Sequence, residues 1–109
     1  MPDRLTEERI ARNETLFREV NERVKELVPS EGGIDFICEC GNEECDQSLF
    51  VSAAEYEEIR SDARLFAMAP GHEFEAVEEV VAVRKGFNVV KKRLGTPARV
   101  AQETDPRSD

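Results

Sequence analysis

Ile34-Asp35-Phe36-Ile37-Cys38-Glu39-Cys40-Gly41-Asn42-Glu43-Glu44-Cys45-Asp46-Gln47-Ser48-Leu49-Phe50-Val51 is the stretch that decides the fold. Its first five residues alternate between apolar and polar and predict a strand. Ser48–Val51 reads as the return strand, so the three cysteines between sit at the tip of a hairpin. Residues two apart on a strand project to one face, so the sulfurs of Cys38 and Cys40 can reach one ion. Gly41 is expected to supply the positive φ of a tight turn, where backbone N–H groups can bond thiolate sulfur. Cys45 then closes the loop back onto the same ion.

His72 is the chain's only histidine and follows the Pro70-Gly71 turn. With the three cysteines it makes a Cys3His set, one of the combinations that close a tetrahedral zinc site. Soft sulfur donors favour zinc, Zn(2+), as the ion. Glu39, Asp46 or water are the alternatives to His72 as fourth ligand. The set would use every Cys and the only His, leaving none for thiol or histidine catalysis, so no catalytic residue is assigned and the expected role is structural, not enzymatic. A Cys38–Cys45 disulfide is a further alternative and would strand Cys40. The flanking acids Glu39, Glu43, Glu44 and Asp46 read as a solvated loop and argue against burial of the cysteines.

Working outward, Thr6–Val28 carries Ile10, Leu16, Phe17, Val20, Val24, Leu27 and Val28 at helical spacing and predicts a long N-terminal helix. Positions 10, 17, 24 and 13, 20, 27 fit a heptad with Asn13 as its polar member, a pattern that can set register in a helix pair. Pro29 to Gly33 ends it as a joint. After the cysteine hairpin, Ser52 and Glu55 form a capping box for a helix over Ala53–Ser61 that turns Tyr56 and Ile59 inward. Leu65–Ala69 is a short buried run, helix end or strand. Residues 77–94 read as a second hairpin turning at Arg84-Lys85-Gly86, and 96–109 as a C-terminal tail that lacks periodicity and is loose at its end. The expected class is α+β: a long helix (1–29), a metal-binding domain (30–95) of two β-hairpins with a short helix between them and a knuckle-like metal site, and the tail.

The chain has 109 residues and a net charge of -9, unevenly spread. Residues 34–80 hold 13 acidic and 2 basic side chains, whereas 81–95 hold 5 basic and no acidic ones. The acidic middle disfavours non-specific nucleic-acid binding, which depends on Lys and Arg at phosphates. At 36% charged and 39% hydrophobic residues the core is expected to be thin, which suits a metal staple. No stretch reads as a signal peptide or membrane span, so a cytoplasmic location is expected, where thiols stay reduced.

Four segments together, ARNETLFREVNERV, FICECGNEECDQSLFVSAAEYEEIR, APGHE and ETDPR, resemble an uncharacterised family of small bacterial proteins common in actinobacteria. Its members pair an FxCEC cysteine cluster with a tyrosine-bearing helix and a PGHE turn. The resemblance spans residues 10–107 and implies that Cys38, Cys40, Cys45 and His72 form one recurring unit. It implies no activity. One local departure is the hairpin turn Arg84-Lys85-Gly86-Phe87, more basic and apolar than the family pattern.

The expected function is therefore a small structural-zinc protein acting as an interaction or regulatory module, meeting a protein partner or a second copy through the N-terminal helix. Two alternatives share its residues. One is nucleic-acid binding by Arg84, Lys85, Lys91, Lys92 and Arg93 with Phe87 stacking on a base. The other is a thiol/zinc redox sensor. Catalytic zinc is disfavoured, since no deaminase-type HxE…CxxC pattern is present.

Overall fold

The computed structural model describes residues 4–27, 33–42 and 44–107, with side chains from residue 8 onward in the first segment. The elements are α1 (Arg4–Leu27), β1 (Gly33–Ile37), β2 (Ser48–Ser52), α2 (Ala53–Arg60), β3 (Leu65–Met68), β4 (Glu78–Arg84), β5 (Phe87–Lys92) and α3 (Thr96–Glu103). The class is α+β, as the sequence predicts. Val28 and the joint at 29–32 lie outside the described residues.

Two antiparallel sheets carry the core. β1 and β2 pair as a hairpin, and the second sheet has the order β3-β5-β4. The second hairpin thus gains a third strand, because Leu65–Met68 is a strand and not a helix end. The hairpin turn at Lys85-Gly86 places Gly86 at φ +88°, where glycine carries no steric penalty. The capping box at α2 is fully formed: Ser52 Oγ accepts from Glu55 N at 3.1 Å, and Glu55 Oε1 accepts from Ser52 N at 3.2 Å. Tyr56 and Ile59 point inward as expected, and the Tyr56 ring stacks on Phe36 at 4.3 Å between centroids.

The strands meet at the cysteine segment. Cys38 N continues the hairpin ladder to Gln47 O at 3.0 Å, and Glu39 N donates to Ala67 O at 2.9 Å. Residues just beyond β1 therefore cover the outer edge of β3 and join the two sheets.

One expectation is corrected. The C-terminal segment does not lack periodic structure, since Thr96–Glu103 is a helix that packs on α1 and buries Pro97, Ala98, Val100 and Ala101, while residues 108 and 109 lie outside the described residues. Beyond it, Arg107 bridges Glu57 at 2.9 Å and Glu22 at 2.8 Å. α1 is unusual in the face it buries. Its buried side chains are Ala11, Glu14, Thr15, Arg18, Asn21 and Glu22, whereas Leu16, Val20 and Leu27 are 56%, 41% and 82% exposed. The helix turns a polar face inward and much of its apolar stripe outward.

Most of that polar face is paired, although Arg18 Nε and Glu14 Oε2 find no hydrogen-bond partner among the described residues. Arg18 donates to Ala63 O at 2.6 Å and Ala101 O at 2.8 Å while lying 4.5 Å above the Phe66 ring. Burial, then the neighbouring Arg60, pushes its pKa down to about 10, so it stays a cation at neutral pH. Glu22 meets Arg60, which also holds Asp105. Lys92 lies wholly inside, against both Glu14 and Glu78. One cation faces two carboxylates there, and burial pushes the Glu78 carboxyl up to about 7 and the Lys92 ammonium down.

Candidate metal centre

Cys38, Cys40, Cys45 and His72 come together, with one donor atom from each lying within 4.8 Å of the others. All three cysteines are free thiols, so no Cys38–Cys45 disulfide forms. The imidazole presents Nδ1 to the sulfurs, at 3.6 Å from Cys38 Sγ and 3.5 Å from Cys45 Sγ. A tetrahedral ion with Zn–S of about 2.3 Å and Zn–N of about 2.05 Å would set these edges at about 3.5 Å. His72 is thus spaced from both sulfurs as a fourth ligand would be. The four donor atoms spread over as much as 4.8 Å, so closing on an ion with edges of about 3.5–3.8 Å draws the donors together by up to about 1 Å.

The chain delivers each donor by a different local device. Cys38 and Cys40 flank Glu39 in extended backbone and share a side, as strand period requires. Cys45 returns on the turn in which Cys45 N donates to Asn42 O at 3.1 Å. His72 arrives on the turn closed by His72 N donating to Ala69 O at 3.1 Å, with Gly71 at φ +85°. That same turn aims Ala69 N–H at Cys38 Sγ, 3.1 Å away.

Gly41 is needed for a reason other than the expected one, since its φ is not positive. A Cβ there would sit 2.8 Å from Ile10 Cγ2, so the glycine lets α1 press against the knuckle. Asn13 of α1 then donates to Gly41 O at 3.2 Å. The polar member of the expected heptad is thereby used within the chain.

Burial raises the thiol pKa of Cys38 and of Cys40, and backbone N–H groups of Ala69 and Asn42 respectively pull in the opposite direction. A bound cation supplies the remaining charge that thiolates need in such a setting. Cys38 and Cys40 are buried, against expectation, whereas Cys45 and His72 are half-buried. A cleft of about 240 Å³ lined by Cys40, Asn42, Gly71, His72, Glu73 and Phe74 leads to this side of the cluster.

Glu39 is neither solvated nor a ligand. Its carboxylate is fully buried, accepting from Asn21 Nδ2 at 2.8 Å and Ala67 N at 2.9 Å. Burial raises its pKa, and those two bonds together with Arg18 and Arg60 oppose the rise. Asn21 further exchanges two hydrogen bonds of 2.9 Å with the backbone of Ile37. Sequence reasoning missed Asn21, Arg18 and Glu22. Their signal is an inward stripe at 14, 18, 21 and 22 whose helical spacing matches that of the apolar one.

The basic hairpin is dispersed by the fold. Phe87 is buried and cannot stack on a base, and Lys92 is enclosed by Glu14 and Glu78. Lys91 pairs with Asp62 at 3.4 Å, and Arg93 donates to Glu75 O at 2.7 Å. Arg84 and Lys85 remain as exposed cations without an ion pair among the described residues. Among the described residues no helix is long and apolar enough to cross a membrane. Comparison with family models, with curated proteins and with solved structures finds no match.

Proposed function

We propose that this protein is a small zinc-binding module in which Cys38, Cys40, Cys45 and His72 hold one structural Zn(2+), and that it works as an interaction or regulatory module of the cytoplasm. The observation that carries the reading is the pair of Sγ–Nδ1 distances, 3.6 and 3.5 Å, beside three free thiols. Donor softness supports zinc over harder divalent ions. On this reading the protein is not an enzyme, because four protein donors leave the ion no open position. The ion reinforces the junction between the end of β1 and the 69–72 turn, which is otherwise held by hydrogen bonds such as Glu39 N to Ala67 O and Ala69 N to Cys38 Sγ. Native mass spectrometry before and after mild denaturation tests the proposal. One zinc per chain, whose removal by a chelator lowers the stability of the fold, is the expected result. A protein isolated well folded with no metal and all thiols free, or one whose stability a chelator leaves unchanged, would overturn it.

A second reading, a thiol/zinc redox sensor, draws support from the half-exposed Cys45 beside the cleft. It expects zinc release and a structural change at mild peroxide, and zinc retention under those conditions rules it out.

A further inference from the structure

β4 is the outer strand of the second sheet, and no described strand pairs with its free side. β3, the other edge, is covered by the Cys38–Cys40 segment through Glu39 N and Ala67 O. Proteins usually blunt an open edge with charge or a bulge. β4 instead exposes Val80, Val81 and Val83, the last at 75%. It does have a bulge, between Val80 and Ala82.

The bulge determines which side chains share a face. Glu79, Ala82 and Arg84 lie opposite Lys91, Val89 and Phe87 of β5. Those three positions are two apart on an uninterrupted strand, so they share one face and so do their partners. Val80 and Val83 lie opposite Val90 and Asn88, on the other face. In a regular strand residues 79 and 84, five apart, would point to opposite faces. The extra residue brings the acid and the base onto the same one.

β4 is thereby complementary to itself. An antiparallel second copy, related by a two-fold axis between Val81 and Ala82, sets Glu79 against Arg84 of the second copy and Val80 against its Val83. Each contact occurs twice, with matched faces. Among the described residues neither Glu79 nor Arg84 has an ion-pair partner, and both are exposed. A strand of one charge sign would call for a partner of the other sign. A strand with the acid at one end and the base at the other calls for its own reverse.

We propose that β4 is a self-association edge: two copies pair β4 with β4 antiparallel and join two three-stranded sheets into one of six. The contact is isologous and closes at the dimer. Growth stops there, because β3 is already covered in each copy. The inference does not depend on which ion the cysteine cluster holds.

Sedimentation equilibrium on the full-length, metal-loaded protein tests it. The wild type is expected to dimerise. Glu79→Arg or Arg84→Glu alone places like charges opposite each other at two points and should raise the dimer dissociation constant at least about tenfold. The double exchange E79R/R84E restores the pairing and should return the constant to within about threefold of wild type. Both residues are exposed, and unchanged circular dichroism and metal content verify that each variant keeps the fold. A wild type that stays monomeric at millimolar concentration overturns the proposal. So does a dimer indifferent to both reversals, or one lost instead on Leu16→Glu, which would assign the interface to α1.

Discussion

Replacing His72 by alanine should destabilise the zinc-loaded protein by about 4 kcal/mol and leave the metal-free protein almost unchanged. Cys38 and His72 are 34 residues apart, so a shared ion closes a long loop. The chain-entropy relation for a cross-link of that length gives a denatured-state entropy loss of about 12.6 cal/mol/K, or about 3.8 kcal/mol at 25 °C. Without His72 the three cysteines close only the local loop from 38 to 45, and the long-range restraint is gone. A domain of this size has an unfolding entropy of about 230 cal/mol/K, so the melting temperature should fall by about 17 °C. The hydrogen-bond-range neighbours of the imidazole ring are the cluster's own sulfurs. In chelator the half-exposed ring should therefore cost no more than about 0.5 kcal/mol to remove. Urea unfolding of wild type and variant, each with zinc and with a strong chelator, forms a cycle that isolates the coupling between side chain and ion. Equal destabilisation in both conditions would refute the assignment of His72 as a ligand, whatever its size.

Two further consequences follow from single close contacts. Gly41→Ala puts a Cβ 2.8 Å from Ile10 Cγ2 and 3.2 Å from Ile10 O, so α1 or the knuckle must move, at a cost of about 1–3 kcal/mol in chemical denaturation. A value below about 0.5 kcal/mol would mean that the contact yields freely. Glu78 gives a pH dependence. Its carboxyl is pushed up to about 7 from an ordinary 4.5, so the native state holds the proton more tightly than the unfolded chain. The stability linked to this group is complete below about pH 4.5, falls as pH rises, and is gone above about pH 7, amounting to about 3 kcal/mol. Glu78→Gln removes the titration, so the gap between wild-type and variant stability should change by that order between pH 4.5 and 7.5. A constant gap across the range would contradict it.

The parts of the fold that the sequence discloses are those governed by local signals. Ser52 and Glu55 are three residues apart and form their box without help from the rest of the chain. Lys85-Gly86 marks its turn because Gly86 takes a positive φ. Cys38 and Cys40 share a face because strand period is two. The convergence of His72 rests on donor count alone at the level of sequence, and the turn at 69–72 is what brings it in. What stays hidden depends on partners far along the chain. Glu14 meets Lys92, Glu22 meets Arg60 and Arg107, and Arg18 meets the carbonyl of Ala101. α3 escapes notice because Ala98 and Ala101 are too small to make a visible apolar stripe, yet small side chains are what allow it to pack against α1.

The inverted helix and the metal knuckle have a common cause. At the end of β1, Ile37 turns both its N–H and its C=O towards α1, and both are satisfied by Asn21. One residue on, Glu39 is carried inward by the alternation that sends Cys38 and Cys40 to the metal side, and its buried carboxylate also needs donors. An apolar helix face laid over this segment would leave those groups unsatisfied, at about 1–3 kcal/mol each. The face of α1 that covers the knuckle must therefore be polar. Once Asn21 is fixed inward, helical period brings Glu14 and Arg18 to the same face and carries Leu16, Val20 and Leu27 away from it. Lys92 and the carbonyls of Ala63 and Ala101 then partner the groups so placed. The buried charges are thus a consequence of seating a Cys-Glu-Cys strand end beneath a helix, and the exposed apolar stripe is the other side of the same constraint.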